Sequence, residues 1–123
     1  MRLETGKLGE EKAVRYLKNN GYRILARNFR NKLGEIDIVA SDRDVICFVE
    51  VRTRRGAGKE AEALASVNGL KQCRLSRLAA SFLKKHDLTG AKARFDVLTV
   101  LLEGASENIL LLKDAFPVAE RYN

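Results

Sequence analysis

Histidine is almost absent from this chain. His86 is the only one, and it follows Lys84-Lys85, where a helix-end surface position is expected. A Ser-His-Asp or Cys-His site would need an inward imidazole, so that chemistry is not expected here. Cysteine is also scarce: Cys47 and Cys73 lie far apart and inside apparent elements. That spacing builds neither a disulfide framework nor a zinc site, and it fits free thiols in a reducing cytoplasm. The single proline, Pro117, falls near the end, and no linker, repeat or low-complexity tract appears. No long apolar run is present, so no membrane span is expected. The start, Met1-Arg2-Leu3-Glu4-Thr5-Gly6-Lys7, is charged and leads into no apolar stretch, so a secretory signal is not expected.

What remains is ordinary for one domain spanning residues 1–123, with 46% hydrophobic residues. Leu3 to about Asn20 reads as a helix stopped by Asn20-Gly21. Tyr22–Phe29, Gly34–Ala40 and Val45–Thr53 read as strands rich in β-formers. Ser41-Asp42-Arg43-Asp44 reads as a hairpin connection, and Arg54-Arg55-Gly56-Ala57-Gly58-Lys59 as a basic loop. A long helical segment with a break at Asn68-Gly69 follows. It turns Leu75, Leu78, Ala79 and Phe82 inward and Lys71, Arg74 and Arg77 outward. Ala93–Leu102 and Asn108–Leu112 read as further strands. The order predicts an α/β fold, a central mixed sheet flanked by helices.

Acids interrupt the two most apolar strands. Alternation puts Glu35, Asp37 and Val39 on one face, with Ile36 and Ile38 on the other. It likewise groups Ile46, Phe48, Glu50 and Arg52. Paired as a hairpin, the strands bring Asp37 near Glu50, with Arg52 one step beyond. An ionised carboxylate in such a place is costly unless it is partnered. A hard cation such as Mg²⁺ or Mn²⁺ is one such partner; nearby arginines are the other. In the first helix Glu10 falls on the stripe of Ala13, Val14 and Leu17, as a third oxygen ligand, a neighbour of the site or a snorkelling residue. Glu11 faces Arg15 and Lys18 as a solvated pair.

The net charge is +7, and its distribution is uneven. Between Arg52 and Lys85 stand nine Lys or Arg against two acids, and the rest of the chain is balanced. A concentrated excess of this kind suits a polyanion; the alternative is a solvated basic helix face. Tyr16, Tyr22 and Phe29 do not interleave with the basic cluster, which assigns them to core or edge rather than to base stacking. Asp96, between Phe95 and Val97, is expected to pair with Arg94 or a basic helix residue.

Several segments together carry a resemblance. They are Gly9-Glu10, Gly21-Tyr22-Arg23-Ile24-Leu25, Gly34-Glu35-Ile36-Asp37, Phe48-Val49-Glu50-Val51-Arg52, Lys71-Gln72 and Arg94-Phe95-Asp96-Val97. Over almost its whole length the chain resembles the bacterial YraN family within the restriction-endonuclease-like PD-(D/E)XK superfamily, and it is similar to archaeal Holliday-junction resolvases. The resemblance implies Asp37 and Glu50 as ligands of Mg²⁺ (or Mn²⁺), joined by the Val51 carbonyl, with Glu10 as the first-helix acid. Gln72 with Lys71 matches a helix position that supports the site. Glu35 matches the family pattern too, and reads as an auxiliary acid or a contact to a basic neighbour. Arg52 stands where a lysine is usual. It cannot serve as a general base, but it can hold a phosphate oxygen.

The function so implied is a Mg²⁺-dependent endonuclease-like activity on DNA, with branched DNA the substrate that resolvases suggest. Asp37, Glu50, Arg52 and Glu10 would form the site. Arg54, Arg55, Lys71, Gln72 and Arg74 would hold the nucleic acid, and a homodimer would supply two cuts. Two other readings stand beside it: a nucleic-acid-binding module without cleavage, and an assembly protein whose basic face meets an acidic partner.

Overall fold

The computed structural model describes residues 2–118, with side chains from Thr5 onward. The order is α1 (Arg2–Asn19), β1 (Arg23–Asn31), β2 (Gly34–Asp42), β3 (Val45–Arg55), α2 (Glu60–Ala65), α3 (Gly69–Lys85), β4 (Lys92–Glu103) and β5 (Ser106–Phe116). The strands form one five-stranded sheet in sequence order. The β3–β4 pair is parallel and the others are antiparallel, so α2 and α3 make the crossover a parallel pair requires. This is the expected mixed α/β architecture of the restriction-endonuclease-like kind.

Each face of the sheet buries its own cluster. Ala13, Val14 and Leu17 of α1 cover Ile38, Ala40, Cys47, Val49, Val51, Leu98 and Val100. Leu75, Leu78, Ala79 and Phe82 of α3 cover Val39, Ile46, Phe48, Phe95 and Val97 on the other side. Phe82 meets Phe29 and Phe48 edge-on, at centroid distances of 5.3 and 5.8 Å. His86 caps α3 at the surface, 4.2 Å from the Phe82 ring. Tyr22 is buried and Tyr16 and Phe29 are half-buried at the core margin, as expected. Cys47 and Cys73 are free, and burial pushes the Cys47 thiol up to about 11.

Several boundaries and directions differ from those read from the sequence. The hairpin connection shrinks to Arg43-Asp44, with Arg43 at φ 61°, because β2 runs on to Asp42. Arg54 and Arg55 belong to β3, held there by parallel pairing with Leu101 and Leu102. β5 is longer than Asn108–Leu112, because β4 offers it a full-length partner. Ile36 and Ile38 do not share a core: Ile36 joins the α3-side cluster and Ile38 the α1-side cluster. The β2–β3 ladder ends at Ile38↔Val49, so the start of β2 is paired to β1 alone.

Candidate functional site

The site lies where β2 and β3 part. Continuing the register past Ile38↔Val49 sets Asp37 across from Glu50, but the backbones no longer pair there. The Asp37 carboxylate fills the opening: its Oδ2 accepts the Val51 N–H at 2.8 Å. Burial first, and the Glu50 carboxylate second, push the Asp37 carboxyl up to about 8, while the Val51 N–H acts the other way. Beside Glu50, the Asp37 carboxyl cannot ionise cheaply.

Glu50 is 3% exposed. Its Oε2 receives two cations, Arg52 at 3.0 Å and Lys71 at 3.2 Å. Its Oε1 is buried and meets no N–H or hydroxyl donor among the described residues, the Asp37 carboxyl being its hydrogen-bonding neighbour, and Nε of Arg52 has no acceptor. Such a buried carboxylate oxygen beside a second carboxyl is a donor set suited to a hard divalent cation.

Lys71 was expected to face outward. Its side chain instead folds onto Glu50, at the site where the resemblance puts it, from the first turn of α3, which Asn68 caps. Asn68 Oδ1 accepts the Lys71 N–H at 3.0 Å. In that turn the Gln72 amide donates to the Val67 carbonyl at 3.0 Å, bracing the helix start rather than the acids.

A groove of about 1040 Å³ opens over the pair, lined by Thr5, Gly6, Glu10, Asp37, Glu50 to Arg55, Glu62 and Lys71. Thus Asp37, Glu50, Arg52, Glu10, Arg54, Arg55 and Lys71 come together, whereas Gln72 and the exposed Arg74 do not line it. Arg54 Nε is 3.1 Å from Glu62, and Arg55 Nε donates to Thr5 Oγ1 at 3.2 Å. α1 can lie this close because residue 9 is glycine: a Cβ there would stand 1.8 Å from Thr53 Oγ1.

Glu10 borders the groove without closing a cluster on Asp37 and Glu50. Among the described residues, no group of three or more His, Cys, Asp or Glu is placed to hold one metal ion. The Asn28 amide donates to Glu10 at 3.3 Å and to Glu35 at 2.6 Å, and Arg30 lies 3.3 Å from Glu35. Glu35 therefore meets a basic neighbour, one of the two roles expected of it. Asn28 was not singled out in the sequence. Its one signal is residue type: at φ 54° it holds a left-handed conformation that asparagine tolerates. Glu11 pairs across elements with Arg27 at 2.9 Å, which lowers its pKa, rather than within α1.

Asp96 is structural, as expected. It is fully buried and accepts Arg94 Nε at 2.9 Å and the Asp114 N–H at 2.9 Å. Arg94 also donates to the Tyr22 hydroxyl and to Asp42, at 3.0 and 3.1 Å.

A family model described as "Uncharacterised protein family UPF0102" matches residues 9–100. A UPF0102 protein of Syntrophus aciditrophicus is 47% identical over 117 residues, covering 95% of this chain and 91% of the relative. One from Caldicellulosiruptor saccharolyticus is 45% identical, covering 92% and 97%. One from Moorella thermoacetica is 44% identical, covering 94% and 97%.

Proposed function

Since the chain belongs to the UPF0102 family, a name that states no chemistry, we propose its function from its own residues: a metal-dependent nuclease acting on DNA in the cytoplasm. The observation that carries this reading is half-buried Asp37 beside buried Glu50, whose Oε1 meets no N–H or hydroxyl donor among the described residues, in a groove walled by cations. Asp37 and Glu50 would hold Mg²⁺ or Mn²⁺. Such an ion would supply charge stabilisation at a phosphoryl group and a nucleophile near neutral pH.

The protein's own residues then do the positioning. Arg52 lines the groove with its guanidinium against Glu50, where its fork can meet a phosphate oxygen. Lys71 holds an ammonium at the same carboxylate from the other wall. Arg54 and Arg55 extend the cationic rim toward the flanking backbone, which gives affinity with little sequence preference.

The test is incubation of the protein with labelled linear, flapped and four-way DNA in Mg²⁺, Mn²⁺ or EDTA. Metal-dependent cutting that Asp37→Ala/Glu50→Ala abolishes is the expected result. One observation favours a second reading, a binding module without cleavage: Arg52 and Lys71 already neutralise Glu50, and Glu10 is turned to Asn28. DNA retarded but uncut under every metal condition would support that reading and defeat the first.

A further inference from the structure

The two edges of the sheet are built differently. β1 exposes Arg23, Arg27 and Arg30, and its ladder shifts register between Ile24 and Ala26. Charges and a bulge are what keep an edge from pairing with another chain. β5 has no such guard over its middle. From Asn108 to Leu112 it carries no charge, and its register with β4 runs unbroken from Ser106 to Leu112. Ile109 and Leu111 pack on the α1-side cluster. Leu110 and Leu112 point the other way and are 46% and 43% exposed. A regular apolar edge left open is a template for one more strand.

The charges that flank this stretch select the strand. Glu107 and Lys113 are exposed, sit three residues to either side of Leu110, and within the chain meet Lys12 and Asp42 at the surface. In an antiparallel pair of two β5 strands centred on Leu110, Glu107 of each copy lies opposite Lys113 of the other. Leu110 then meets Leu110, and Leu112 meets Asn108. Opposite charges directly across a ladder stabilise it. Pairing β5 with the β1 edge would instead set arginines against leucines and would grow an open chain of subunits rather than close.

We propose that β5 is the surface through which two copies of this chain pair, antiparallel about a two-fold axis at Leu110, joining two five-stranded sheets into one. The inference stands without the nuclease reading. If both hold, the two β3 strands lie five strand spacings apart, about 24 Å, and one assembly presents two grooves.

Sedimentation and light scattering over a dilution series read the oligomeric state directly. The intact chain is expected at twice its 13.8 kDa mass. Leu110→Lys should weaken the dimer on the order of 100-fold while its circular dichroism stays unchanged. Leu25→Lys, at a 40% exposed position of β1, should leave the dimer intact. On a Cys73→Ser background, Leu110→Cys should crosslink two chains under oxidation and Leu25→Cys should not. The crosslink decides if Leu110→Lys proves unable to fold. A chain monomeric throughout the series overturns the proposal. So does a dimer that survives Leu110→Lys in a folded protein, or one that Leu110→Cys leaves uncrosslinked.

Discussion

Asp37 shows how a single side chain makes the fold pay in stability for a site. Its pKa rises from 3.8 to about 8 on folding. Between those values the unfolded chain has released the proton that the native chain still holds, so stability falls as pH rises. The contribution is full below the unfolded value and gone once pH passes the folded one. Asp37→Asn should therefore stabilise the metal-free protein at pH 8.5 by about 1–3 kcal/mol and change little at pH 4. Urea melts at the two pH values measure this, and equal effects at both would contradict it. Lys71 tests the opposite wall. Lys71→Ala should cut cleavage on the order of 100-fold and DNA affinity by only a few-fold, because its ammonium is committed to Glu50. An equal loss in rate and affinity would return Lys71 to the role of a backbone contact.

At the scale of elements, α1 reaches the site only because Gly9 lets it lie against β3. Gly9→Ala forces its Cβ onto Thr53 Oγ1, and it should cost about 1–3 kcal/mol. Thr53→Ala should recover part of that loss, which a double-mutant cycle in denaturant reads as a coupling. Additive effects would show that α1 simply shifts. Much of this layer was legible in the chain. The Ala13, Val14 and Leu17 stripe, the inward face of α3 and the break at Asn68-Gly69 follow from local periodicity and capping. The acids Asp37 and Glu50 stood out as misfits in apolar strands. Three things were not legible in local periodicity: the end of the β2–β3 ladder, the inward turn of Lys71, which only the resemblance implied, and the Asn28 bridge. Each depends on how separate elements meet. Lys71 shares a helix turn with exposed Arg74, and only the reach of Lys71 to Glu50 tells the two apart.

Over the whole molecule, the excess charge divides into two populations. Arg52, Arg54 and Lys71 are half-buried and already paired with Glu50 or Glu62 in the groove. Arg74, Arg77, Lys84 and Lys85 are exposed along α3, which leads away from the groove at Lys71. Phosphates bound by the second group release counterions from the nucleic acid, and the slope of log affinity against log salt counts them. Replacing Arg74, Arg77, Lys84 and Lys85 together with alanine should flatten that slope by roughly 2–4. The cleavage rate at saturating DNA should stay within about two-fold, because none of the four touches the acid pair. Filter-binding isotherms between low and moderate salt give the slope, and single-turnover cleavage gives the rate. If the slope stays fixed, α3 carries only a solvated face, and the polyanion is held by the groove alone. If the rate falls with the slope, α3 positions the substrate over Asp37 and Glu50 as well as attracting it.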